Sequence, residues 1–168
     1  RTPVPEHDPR LVPALVYAAL CTAIVSSLGM LLVPSVADSF GIAISSAQWL
    51  LTINLLVGAV ATPVMGRLSD GPHKKRLLLV SLVIVLAGSV LAASTSSFTL
   101  FLVGRALQGL TYGIVPVTIA MARRYVEPSR VQSSISTLSV TVASGIGIGY
   151  PLTGMIAGET SYRWAFWF

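Results

Sequence analysis

One charge lies well inside an apolar run of this 168-residue chain: Arg105, which with Gln108 and Gly109 forms Arg-x-x-Gln-Gly. A cation in hydrocarbon costs about 2.5–3.5 kcal/mol on insertion scales, so it must face a helix-bundle interior or a wet cavity. There a guanidinium can hold an anion or tune a neighbouring acid, but it does not itself release a proton. A second stretch, Gly66-Arg67-Leu68-Ser69-Asp70-Gly71-Pro72-His73-Lys74-Lys75-Arg76, sets one carboxylate before a basic cluster in a short polar turn. A third is rich in small residues, with Gly145 and Gly149 four apart, then Pro151, and Gly154 and Gly158 four apart. Spacing of this kind lets helix backbones approach closely. Asn54, Met30 and Tyr112 are further candidates to line a cavity inside the apolar runs.

Other chemistries lack their parts. The apolar runs hold no histidine, no paired carboxylates and no nucleophile with a neighbouring base, so the chain does not read as an enzyme, and neither a cofactor nor a metal is expected. Cys21 is single and sits in the first run, so no disulfide framework follows.

These groups must be positioned by membrane-crossing helices. Apolar residues make up 54% of the chain, charged residues 10%, and the mean hydropathy is +0.79. A hydrocarbon core of roughly 30 Å needs about 20 helical residues. Five runs approach or exceed that length, about 11–36, 47–66, 77–93, 98–122 and 131–157, and a sixth begins near Arg163 and is cut short at Phe168. The expected organisation is an amino-terminal cytoplasmic tail over residues 1–10, then a transmembrane bundle over 11–168 that is part of a longer protein. The first run exceeds a signal-peptide core of roughly 7–15 residues and is followed by further runs, so it reads as a span. The net charge of +5 is scattered over connectors and forms no nucleic-acid-binding face.

Topology follows from charge. Nine of the eleven Lys and Arg residues fall at Arg1 and Arg10, at Arg67, Lys74, Lys75 and Arg76, and at Arg123, Arg124 and Arg130. The alternate connectors, near Asp38 and Ser94–Ser97, carry none, and the one near Glu159 carries Arg163. Cytoplasmic loops hold the Lys/Arg excess, which puts the amino terminus and both basic loops inside. Trp49, Tyr162, Trp164 and Trp167 then lie at the outer interface, where amphipathic rings prefer to sit. A short internal match, Pro63-Val64-Met65-Gly66-Arg67-Leu68-Ser69 against Pro151-Leu152-Thr153-Gly154-Met155-Ile156-Ala157, joins segments that cross in opposite directions, as an inverted repeat would.

The chain resembles the amino-terminal six-span half of the major facilitator superfamily, and the likeness covers essentially its whole length. Gly66, Leu68, Asp70, Lys74 and Lys75 match the family's loop motif between spans 2 and 3, Gly-x-Leu-x-Asp-Arg-x-Gly-Arg-(Arg/Lys). Gly71 stands where the family usually has Arg, and His73 where it has Gly. The resemblance implies that this loop gates conformation, its Asp facing a helix amino end in the other half, where a carboxylate gains about 0.3–1 kcal/mol. Arg105, Gln108 and Gly109 resemble the fourth-span motif associated with proton coupling in drug/proton antiporters. Gly145, Gly149, Pro151 and Gly154 resemble the fifth-span antiporter motif, Gly-x-x-x-Gly-Pro-x-x-Gly-Gly, with Tyr150 interposed before the proline. In the first span, Val25 stands where fourteen-span antiporters often carry an Asp, and Met30 where they carry an Asn.

The resemblance implies an all-α polytopic membrane bundle, a six-helix half with an inverted three-plus-three repeat, in the plasma (cytoplasmic) membrane. It implies a secondary transporter that exports drug-like or small amphipathic molecules by alternating access, in exchange for protons. Its partners would be lipid, a small-molecule substrate, protons and the missing carboxy-terminal half. A non-transporting scaffold or sensor on the same fold, or a metabolite importer, are the competing readings.

Overall fold

A computed structural model of the chain describes residues 10–159, Arg163 and Phe166, the side chains of 157–159 excepted. Arg1, Tyr162, Trp164, Trp167 and most of the expected start of the sixth run lie outside the described residues. In order, the elements are α1 (Leu11–Ser27), a 3-10 turn (Met30–Leu32), α2 (Val33–Phe40), α3 (Ile44–Ala47), α4 (Trp49–Ser69), α5 (Lys74–Ser94), α6 (Phe98–Gln108), α7 (Thr111–Tyr125) and α8 (Pro128–Glu159). They combine into five helices long and apolar enough to cross a membrane among the described residues: Leu11–Phe40, Ile44–Ser69, Lys74–Ser94, Phe98–Tyr125 and Pro128–Ile156. We number these spans 1 to 5.

Most span ends run beyond the apolar runs. Span 3 begins at Lys74, so the Lys74-Lys75-Arg76 cluster forms its first turn. A helix continues past its apolar stretch because long basic side chains can reach polar surroundings from a buried backbone. Span 1 likewise continues through Asp38 to Phe40. It stops at Gly41, whose φ of 63° is left-handed and open to a residue without Cβ. The Gly41 amide donates to the Asp38 carbonyl and the Ile42 amide to the Ala37 carbonyl at 3.0 Å, so the last carbonyls are satisfied.

Two spans are interrupted. Span 1 tightens into three-residue turns between α1 and α2, around Gly29, and span 4 does so between α6 and α7, at Gly109, the backbone staying right-handed helical through both. At 1.5 Å per residue both lie about 16 Å from the Phe40 and Phe98 helix ends, so they share one depth. Prolines do not make the span 4 break: Pro63, Pro116 and Pro151 sit inside continuous helices, while Pro34 opens α2.

The breaks fall between two apolar clusters. One, toward the Phe40 and Phe98 ends, joins Leu28, Leu32, Val36, Leu50, Ala92 and Phe101, and the other, toward the basic connectors, joins Leu15, Ala61, Met65, Val85, Ile114 and Met121. Between them the buried polar residues Asn54, Arg105, Gln108 and Thr111 form a layer. Span 1 packs along span 5, span 3 along span 4, and span 2 along span 4. Glycines permit the closest of these approaches: a Cβ on Gly88 would lie 2.7 Å from the Gly104 carbonyl oxygen, and the reverse substitution meets the same limit. Outward faces of spans 2, 3 and 5 expose Leu55, Val60, Val83, Leu86, Val140 and Met155, the pattern that lipid rather than water tolerates.

Candidate functional site

Arg105 is 0% exposed and lies in the last turn of α6, just before the break in span 4. Its Nε donates to the Leu50 carbonyl of α4 at 3.3 Å, and its Nη1 donates to Gln108 Oε1 at 2.6 Å. Gln108 in turn donates through Nε2 to Ser89 Oγ of α5 at 2.7 Å. One guanidinium therefore links spans 2, 3 and 4. The Phe166 ring lies beneath it, 5.6 Å from Cζ to the ring centroid, a cation–π distance. The spacing of Arg105 and Gln108 by three places both side chains on one helix face, which is why the pair can bond.

Two atoms of the layer are left without a partner among the described residues: Arg105 Nη2, a donor, and Asn54 Oδ1, an acceptor. The free Nη2 points toward span 1, where a Cβ on Gly29 would lie 2.8 Å from it. An unmet buried donor or acceptor costs about 1–3 kcal/mol. Ser26 Oγ and Thr111 Oγ1, 2.9 Å apart, join spans 1 and 4 beside their breaks.

The other candidate residues distribute as follows. Asn54 is 2% exposed, close against Gly109, where a Cβ would lie 2.7 Å from the Asn54 carbonyl oxygen. Tyr112 crosses the face of Gly58 on α4, leaving no room for a side chain there. Met30 is exposed and lines a pocket of about 420 Å³ with Pro34, Gln48 and Thr52. Met30 thus opens to a pocket, whereas Asn54 belongs to the buried layer. Gly145 and Gly149 bring α8 onto α1, a Cβ at the first lying 2.7 Å from Ala23 Cβ and one at the second meeting Ser27. Gly154 has looser surroundings, with Leu31 at 3.5 Å. Pro151 is exposed on the same helix, which runs unbroken through it.

At the other membrane face, Gly66, Asp70 and Lys74 line a pocket of about 570 Å³ with Ser69, Arg123 and Arg124. Leu68 and Lys75 point outward and are exposed. The loop motif therefore divides into a pocket-lining set and an outward set. Sequence reasoning missed Ser26, Ser89 and Thr111, because single hydroxyls in apolar runs carry no periodic signal. Their polarity opposite other hydroxyl and amide groups was the trace available.

The model of the Major Facilitator Superfamily matches residues 15–168. The chain belongs to the major facilitator superfamily. A superfamily relative named an uncharacterized MFS-type transporter, from Mycobacterium tuberculosis, is 31% identical over 155 residues, covering 92% of this chain and 22% of that protein. Another, named efflux pump apf11, from Gibberella fujikuroi, is 29% identical over 173 residues, covering 96% of this chain and 30% of the pump. The solved structure of the human organic anion transporter MFSD10 (TETRAN) shares the superfamily fold with a TM-score of 0.63 at 19% identity, covering 95% of this chain and 44% of that one. The chain thus spans about a fifth to a third of those two curated relatives' length. It is a multi-pass membrane protein of a transporter family.

Proposed function

We propose that these residues form the amino-terminal bundle of a secondary transporter that exports small amphipathic molecules by alternating access, in exchange for protons. In this reading a sixth span begins near Arg163, and a second half encloses a substrate site with this one near mid-membrane. The observation that carries it is Arg105: a fully buried cation fixed to three spans at the depth where spans 1 and 4 are interrupted. An ionisable side chain within a span marks a substrate or ion pathway by default. The efflux pump among the relatives favours outward transport.

The loop Gly66, Leu68, Asp70, Lys74 and Lys75 is assigned to gating, Arg105, Gln108 and Gly109 to coupling, and Gly145, Gly149, Pro151 and Gly154 to close packing with bending. Met30, Asn54 and Tyr112 are assigned to the cavity side. The described spans carry no acid in their middles, Asp38 being exposed in the last turn of span 1, so the proton carrier is assigned to the second half.

Efflux of an amphipathic dye from bacteria expressing the full-length gene product tests the reading. Lower dye retention that a protonophore reverses is expected. Retention equal to that of empty cells rejects export, and export indifferent to the protonophore rejects proton exchange alone.

A further inference from the structure

The pocket beside Asp70 carries more positive charge than its own residues balance. Lys74, Arg123 and Arg124 face a single carboxylate, Asp70, so three cations against one anion leave an excess of two. Lys74 is 6% exposed as a whole residue, its ammonium nitrogen is not fully enclosed, and no described residue accepts a hydrogen bond from it. Lys74 is also the first residue of α5, a helix whose preceding residue, His73, supplies no side-chain cap and whose first turn holds no acid. The amides of that turn are therefore free to meet an anion, and the helix dipole favours one there.

We propose that this pocket binds a phosphate group between Lys74, the amino end of α5 and the two arginines. It is an open depression of about 570 Å³, with room for a phosphate that carries an esterified group. Arginine supplies planar paired donors and lysine a point charge, the combination that phosphate recognition uses. Asp70 lines the same pocket and disfavours an anion placed against it, so the phosphate sits toward Lys74 and the arginines. The pocket lies at the membrane face that collects the basic connectors, where anionic headgroups are concentrated. The source of the phosphate is either such a headgroup or a soluble phosphate ester.

Native mass spectrometry of the full-length, delipidated gene product reads the site directly, with phosphatidylglycerol, phosphatidylcholine and glycerol 3-phosphate as the probes. Lys74→Gln with Arg123→Gln is compared with Arg76→Gln with Arg130→Gln, which removes equal charge from exposed positions outside the pocket. Phosphatidylglycerol binding should weaken about fivefold per pocket cation removed and stay within about twofold in the control pair. If the lipid is the source, phosphatidylglycerol shows this dependence and glycerol 3-phosphate does not compete. If a soluble ester is the source, glycerol 3-phosphate binds with the same Lys74 dependence. Equal losses in both pairs, or no loss of either probe in the pocket pair, overturn the proposal. Lys74→Arg, expected to retain binding, separates loss of the site from loss of the fold: failure of this variant to bind while it remains monodisperse also counts against it.

Discussion

Ser26 Oγ and Thr111 Oγ1 stand 2.9 Å apart and tie the end of α1 to the start of α7. The bond sits beside both helix interruptions, at Gly29 and at Gly109. It holds spans 1 and 4 in register at the level where their helical hydrogen bonding tightens to three-residue turns. Nearby, Arg105 secures span 4 to span 2 through Leu50. Two breaks, one hydroxyl pair and one guanidinium thus make a single polar layer between apolar clusters.

Removing either hydroxyl should weaken this layer modestly. Ser26→Ala and Thr111→Val are each expected to lower unfolding stability in detergent, and the double variant to add little beyond the larger single effect. Interhelical hydrogen bonds in membranes average about 0.6 kcal/mol, with a maximum near about 1.7. A double-mutant cycle with a coupling energy in that range supports the bond, and strict additivity contradicts it.

Packing glycines should divide by their surroundings. Gly88 and Gly104 meet backbone on the facing helix, so Gly88→Ala or Gly104→Ala forces spans 3 and 4 apart. A loss of about 1–3 kcal/mol is expected for such overpacking. Gly147 has nothing within 4 Å of a built Cβ, so Gly147→Ala should be neutral or stabilising by up to about 1 kcal/mol. Thermal unfolding of the purified variants by intrinsic fluorescence ranks them, and a Gly147→Ala penalty equal to that of Gly88→Ala contradicts the packing described.

The spans and their depth were legible in the residues, and the polar layer was not. Long apolar runs bounded by charge gave five crossings, because lipid forces every backbone group into helical bonding. The ends were less legible: Lys74 and Asp38 look like connector residues, yet both are helical, since charged side chains tolerate a helix that extends beyond hydrocarbon. Arg105 stood out by its cost in an apolar setting. Its partners Leu50 and Ser89 did not, because a carbonyl is present at every residue and a serine is common in spans. Interruptions at Gly29 and Gly109 were hidden for a similar reason, since the chain has fourteen glycines and most lie in unbroken helix.

Sidedness is open to a direct check. With Cys21→Ser as background, a cysteine at His73, which is exposed in the turn between spans 2 and 3, should react with an impermeant maleimide only in inside-out vesicles. A cysteine at Ser96, in the connector before span 4, should react only from outside the cell. The basic connectors predict this pattern. Labelling of His73→Cys in intact cells contradicts it.

Arg105 should be intolerant even of lysine. Arg105→Lys keeps the charge but loses the fork that reaches both Leu50 and Gln108, which leaves Gln108 Oε1 without its donor. Each unmet buried group costs about 1–3 kcal/mol, or about fivefold to a hundredfold in any step that depends on it.

The central claim is that Arg105 serves transport and not folding alone. Its most direct test is dye movement driven by an imposed proton gradient in proteoliposomes of the full-length gene product, comparing wild type, Arg105→Lys and Arg105→Ala at matched amounts of monodisperse protein. Gradient-driven transport by wild type that falls at least about fivefold in both variants is the expected result. Transport by either variant at the wild-type rate would contradict the account.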